Sequence, residues 1–245
     1  MKKTILTLGA IFALVACGQQ ENGNYNPSDA LTFGMTGDVK TVRLSRELVS
    51  RDDESDFDDP MLEVDELSLA FDETGRVLKD IYGDPYEYDA DGKFVRGYSD
   101  KTTMARDDKG RLQEYDNATL DYEDDFDYED LNIEEVFHYE FTYDAQGRVA
   151  TSELGGWEWM TTYTYAYDGK KVYPASATFE TLEEGFVEDG TITYEYTKVD
   201  AKGNWTERTV TETSRLYEEG FEEDAETSTL VTREYRTIDY WSDKE

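Results

Sequence analysis

The residues of this chain that bear on chemistry are one histidine, one cysteine, a pair of tryptophans and several runs of carboxylates. His138 is the single histidine in 245 residues. Proton transfer of the Ser-His-Asp or Cys-His kind would rest on it alone. It alternates with Phe137, Tyr139 and Phe141 and shares a side with Glu140 and Thr142. That position reads as a polar cross-strand residue. Cys17 is the single cysteine, so no disulfide can form within the chain. Zinc sites draw on several His or Cys ligands, which this composition does not supply. No nucleophile elbow, phosphate-binding loop or dinucleotide-type glycine loop is present. A carboxylate-pair hydrolase needs only two acids at the right separation. With 58 Asp and Glu, such a pair stays open and cannot be chosen from sequence.

Trp157 and Trp159 stand two residues apart after Gly155-Gly156. On a strand they would share a face. Exposed, they make a candidate ligand platform for a sugar ring or a peptide; buried, they are core. Four acidic runs each enclose a phenylalanine: around Phe57, around Phe126, Leu182-Glu183-Glu184-Gly185-Phe186-Val187-Glu188-Asp189 and Tyr217-Glu218-Glu219-Gly220-Phe221-Glu222-Glu223-Asp224. Carboxylates suit hard cations such as Ca²⁺. Asp52, Glu54, Asp56 and Glu63 follow an EF-hand spacing, but Phe57 stands where that loop needs glycine. The expectation is therefore weak Ca²⁺ association with no dedicated metal site and no cofactor. The formal net charge of −34 argues against nucleic acid and anionic surfaces. It suits a basic partner. Aromatics at 14% separate this chain from acidic disordered sequences.

The elements that would position these residues are announced by a repeated turn. Asp-x-x-Gly recurs at Asp72–Gly75, Asp89–Gly92, Asp107–Gly110, Asp144–Gly147 and Asp200–Gly203, with a shortened copy at Asp168-Gly169. Asp at the first position can accept backbone N–H groups, and Gly at the fourth can adopt the left-handed conformation. Flanking runs such as Phe137-His138-Tyr139-Glu140-Phe141-Thr142-Tyr143 alternate with period two. Alternating strands joined by such turns predict hairpins. The fold expected is all-β, an antiparallel hairpin meander forming a curved sheet or open barrel. The acidic runs fall between strands, at the end of the sheet opposite the Asp-x-x-Gly turns.

Tyr143-Asp144-Ala145-Gln146-Gly147-Arg148-Val149 resembles the YD (Rhs-type) repeat. Gly37-Asp38-Val39-Lys40-Thr41-Val42 and Asp200-Ala201-Lys202-Gly203-Asn204-Trp205-Thr206 add a resemblance to small YD-repeat-like lipoproteins of the Bacteroidetes type, mostly without known function. The pattern departs where Phe71, Arg106 and Val199 replace the tyrosine. Residues 1–16 read as a lipoprotein signal peptide: Lys2 and Lys3, a short apolar run, then the lipobox Leu14-Val15-Ala16-Cys17. Cys17 is the expected acylation site, anchoring the protein in a bilayer. Residues 17–30 read as a tether, and residues 31–245 as one β domain. The combined expectation is a non-enzymatic, membrane-anchored, acidic lipoprotein of the bacterial cell envelope, anchored in the outer membrane with its soluble domain in the periplasm or at the cell surface. It would serve as a binding or structural module for a basic protein or a glycan. The alternative is a carbohydrate-handling protein, either a lectin-like binder or a carboxylate-pair glycoside hydrolase.

Overall fold

The computed structural model describes residues 28–52, 67–79, 85–97, 102–120, 135–156 and 158–243. Fourteen strands run in chain order among them. They are β1 (Val39–Arg51), β2 (Leu67–Phe71), β3 (Val77–Lys79), β4 (Glu87–Tyr88), β5 (Phe94–Arg96), β6 (Met104–Arg106) and β7 (Leu112–Leu120), followed by β8 (Glu135–Tyr143), β9 (Val149–Gly155), β10 (Trp159–Ala166), β11 (Ser176–Glu183), β12 (Phe186–Val199), β13 (Trp205–Glu218) and β14 (Glu226–Tyr240). Twelve of them make one antiparallel sheet in the order β3-β2-β1-β14-β13-β12-β11-β10-β9-β8-β7-β6, and β4 and β5 pair separately. The expected all-β meander is what forms. One pairing is not between sequential strands: β1 joins β14, from Val39 opposite Tyr240 to Arg51 opposite Leu230.

Alternation sets which side chains face inward. On β10, Thr161, Tyr163 and Tyr165 are buried, while Met160, Thr164 and Ala166 are exposed. Trp205, at the start of β13, is fully buried. At the turns, Asp144 Oδ1 accepts the backbone N–H of Gln146 and of Arg148, both at 2.9 Å, and Gly147 closes the turn at φ 82°. The turns at Asp72, Asp89, Asp107 and Asp200 repeat this pair of bonds.

A short helix, α1 (Asp29–Thr32), and the segment after it cross the end of the sheet that carries these turns. Phe33 packs its ring on Phe71 of β2, Tyr115 of β7 and Phe141 of β8, with centroids 6.0, 5.7 and 6.5 Å away. β2 and β7 lie near opposite ends of the strand order, so the sheet is rolled around this side chain. It stays open between β3 and β6. Side chains suture that seam. Asp29 accepts the Val77 amide of β3 at 2.9 Å and both terminal nitrogens of Arg106 of β6 at 2.5 and 2.8 Å. From the β4–β5 hairpin, Tyr88 donates to the Val77 carbonyl at 2.6 Å and lies 3.3 Å from Met104 Sδ of β6. The expected open barrel thus has its gap held by an acid and a tyrosine.

Candidate functional site

The end of the rolled sheet opposite the Asp-x-x-Gly turns is a carboxylate-rich rim. Two of the acidic runs meet there. Between β11 and β12 the chain reverses in two residues, Glu184 at φ 42° and Gly185 at φ 88°. Positive φ at both central positions gives the tight turn that suits strand twist. Between β13 and β14 the connection is longer and contains a one-turn 3-10 helix, Glu222–Asp224. The Glu219 amide donates to the Gly185 carbonyl at 2.8 Å, tying the two tips together. Glu184, Glu218, Glu219, Glu222, Glu223 and Asp224 are all exposed on them.

Apolar groups stand among these acids. Leu182, Phe186 and Phe221 are 44, 48 and 53% exposed. Met160, Leu48 and Val49, at the same end of β10 and β1, are exposed too. Strand register lines up Met160 with Leu182, Leu182 with Val187 and Val187 with Tyr217, a row in which Met160 and Leu182 are exposed and Val187 is buried. Beside it Arg215 donates to Asp189 from Nε and Nη2 at 2.9 and 2.5 Å. The rim therefore combines exposed carboxylates with open apolar contact area. Chemically it can hold a cationic, partly apolar surface.

The other sequence-predicted residues are spread out. Cys17, Trp157 and the acidic runs around Phe57 and Phe126 lie outside the described residues. Trp159 is half-buried and packs on Phe137, ring centroids 5.9 Å apart. Asp52 extends the β1–β14 pairing, accepting the Thr229 amide at 2.5 Å. Among the described residues no group of three or more His, Cys, Asp or Glu is arranged to hold a metal ion. His138 occupies the outer, cross-strand position expected of it. Its Nδ1 donates to Asp116 Oδ1 at 2.5 Å, and its Nε2 lies 3.7 Å from Glu140. The Asp116 hydrogen bond raises its pKa, and burial opposes the shift only in part. Acids at both ring nitrogens favour the protonated imidazole.

One cluster went unnoticed in the sequence. Inside the sheet, Glu234 of β14 accepts from Arg208 of β13 (Nε, 2.7 Å) and from Arg46 of β1 (Nη2, 2.9 Å). Arg208 and Glu234 are completely buried. Burial pushes the Glu234 carboxyl up, but the Arg208 and Arg46 charges outweigh it and hold it below the usual range. The Arg208 guanidinium lies over Tyr194 and Trp205, at 4.5 and 4.2 Å. Arg236 covers Trp205 at 4.0 Å. The signal was there: Glu234 and Arg236 hold the inward parity of Thr232 and Tyr240 along β14.

No known protein-family model matches this chain, and no curated protein sequence matches it.

Proposed function

We propose that this protein is a lipid-anchored, non-enzymatic binding module of the bacterial cell envelope, whose acidic rim docks a basic partner. The observation that carries the reading is the joining of two acidic hairpins, with Leu182, Phe186 and Phe221 exposed among them, at one end of the sheet. Residue 28 enters at the other end, where Ser28 donates to the Gly75 carbonyl of a turn. A tether from an acylated Cys17 therefore reaches the turn end, over a span of at most about 35 Å for ten residues. The rim then points away from the bilayer. Opposite charge steers such a partner and fixes its orientation, while the apolar groups lengthen its residence.

The test uses the full-length protein. Cys17→Ser should move it from the membrane fraction to the soluble fraction; retention on membranes contradicts the anchor. Glu184, Glu219, Glu222 and Glu223 changed together to Gln should weaken capture of Lys- and Leu-rich peptides about tenfold or more at low salt. Wild-type capture should fall as salt rises. Equal binding by both proteins removes the docking surface. A parallel glycan array tests the carbohydrate alternative, for which Trp157 and Trp159 are the residues to replace.

A further inference from the structure

The buried charges inside the sheet do not balance. Arg46 and Arg208 share one carboxylate, Glu234. Arg236, 4% exposed, hydrogen-bonds a neutral group, donating from Nη2 to the Phe33 carbonyl at 3.2 Å. Glu212, also on the inward parity of β13, lies four residues from Arg208 toward the rim, whereas Arg236 lies toward the turn end. Three guanidinium cations are thus gathered around one carboxylate. Unpaired burial of an ion costs several kcal/mol. The carboxylates of the outer surface compensate little, since water and salt screen them over roughly 8–10 Å.

The hydrogen-bonding inventory points the same way. Among the described residues, the buried side-chain atoms with no hydrogen-bond partner include Arg236 Nε and Nη1, Trp205 Nε1, and the hydroxyls of Tyr163 and Tyr194. All of these can donate, and the arginine and tryptophan nitrogens cannot accept. Arg236 and Trp205 are in contact, the guanidinium 4.0 Å from the ring. Among the described residues, what the surroundings of Arg236 and Trp205 lack is an acceptor and a second carboxylate. A water molecule would accept but would bring two more O–H donors and no charge. An anion supplies both needs.

We propose that the protein holds one small monovalent anion, a halide or a short carboxylate, against Arg236 and the indole N–H of Trp205. The segment carrying Phe33 covers the site, because its carbonyl occupies another N–H of the same guanidinium. The anion would act as a structural counter-ion to a core that the chain's own carboxylates leave positive.

The experiment compares thermal midpoints of the full-length protein in sodium gluconate, chloride and formate at equal ionic strength. Gluconate is too large for a buried site. The midpoint should be several degrees higher in chloride, formate or both, rising to saturation with concentration, and the pair of arms separates halide from carboxylate. Arg236→Met, which keeps the stem and removes the charge, should abolish the difference. Equal midpoints in all three salts overturn the proposal, as does a difference that persists in Arg236→Met. Should that variant not fold, bromide-soaked crystals of the wild type decide. An anomalous peak within hydrogen-bonding distance of Arg236 supports the site; a bromide-free interior overturns it.

Discussion

At the scale of single residues, the decisive feature is how charges are held. His138 and Asp116 pair across β7 and β8 on the outer face. The same aspartate ties its strand to the segment before β6: its carboxylate accepts the Thr103 amide, and its own amide donates to the Thr103 carbonyl. The His138 pKa is raised in the folded state by that hydrogen bond. A raised histidine pKa adds stability that is complete below the unfolded value of about 6.5 and is lost as pH rises through the folded value. His138→Gln should therefore cost stability at pH 5 and converge on the wild type by pH 9. Denaturant melts across that range check the sign; a gap that widens with pH contradicts it. The ring is 42% exposed, so the effect is modest.

At the scale of elements, the repeated turn does more than reverse the chain. In three copies the residue after glycine is an arginine that bonds back to the turn aspartate, as Arg148 Nε does to Asp144 at 2.8 Å. Its guanidinium then lies over a tyrosine of the next turn: Arg76 over Tyr88, Arg111 over Tyr143, Arg148 over Tyr167. That tyrosine donates its hydroxyl to the carbonyl just past the arginine, Val77, Leu112 or Val149 in turn. The Tyr-Asp pair of one turn is thus the lock of the turn before it. Where arginine is replaced by Asn204, the amide turns to the N-terminal segment instead, donating to the Thr36 carbonyl at 2.9 Å and accepting its N–H at 2.7 Å. Asp144→Ala should cost about 2–3 kcal/mol, since it strips two backbone donors and an arginine of a charged acceptor. Asp91→Ala, in the middle of another turn and making no such bonds as acceptor, should cost under about 0.5 kcal/mol. Urea melts of the two variants give the comparison, and equal losses would remove the turn aspartate's special role. The turns were legible in sequence because their bonds span four residues. The arginine–tyrosine locks were not, because their partners are set by strand register and the separation along the chain differs in all three.

At the scale of the molecule, the rolled sheet depends on a plug that belongs to no strand. Phe33 reaches both halves of the sheet, and Asp29 bridges its open seam. Phe33→Ala should cost about 3–5 kcal/mol, a full core-aromatic loss. It should also expose the interior, read as enhanced binding of a hydrophobic dye under native conditions. A loss below about 1 kcal/mol would show that the sheet keeps its curvature without the plug. The rim at the other end follows from the meander itself. Alternate connections fall on alternate ends, so the two described acidic runs, placed between Asp-x-x-Gly turns, gather at one end.

What the sequence alone determined is therefore local and periodic. Alternation told which side chains face inward, and Asp-x-x-Gly told where the chain reverses, because both are rules over two to four residues. The all-β class and the gathering of the described acidic loops at one end follow from those rules in order. Only the tertiary structure decided the rest. It decided that β14 pairs with β1, that Phe33 holds the roll, and that Arg46, Arg208, Glu234 and Arg236 share one interior. Those contacts join residues far apart in the chain, and nothing in local spacing encodes which distant strand supplies the partner. A charged residue at an inward position announces only that a partner is required.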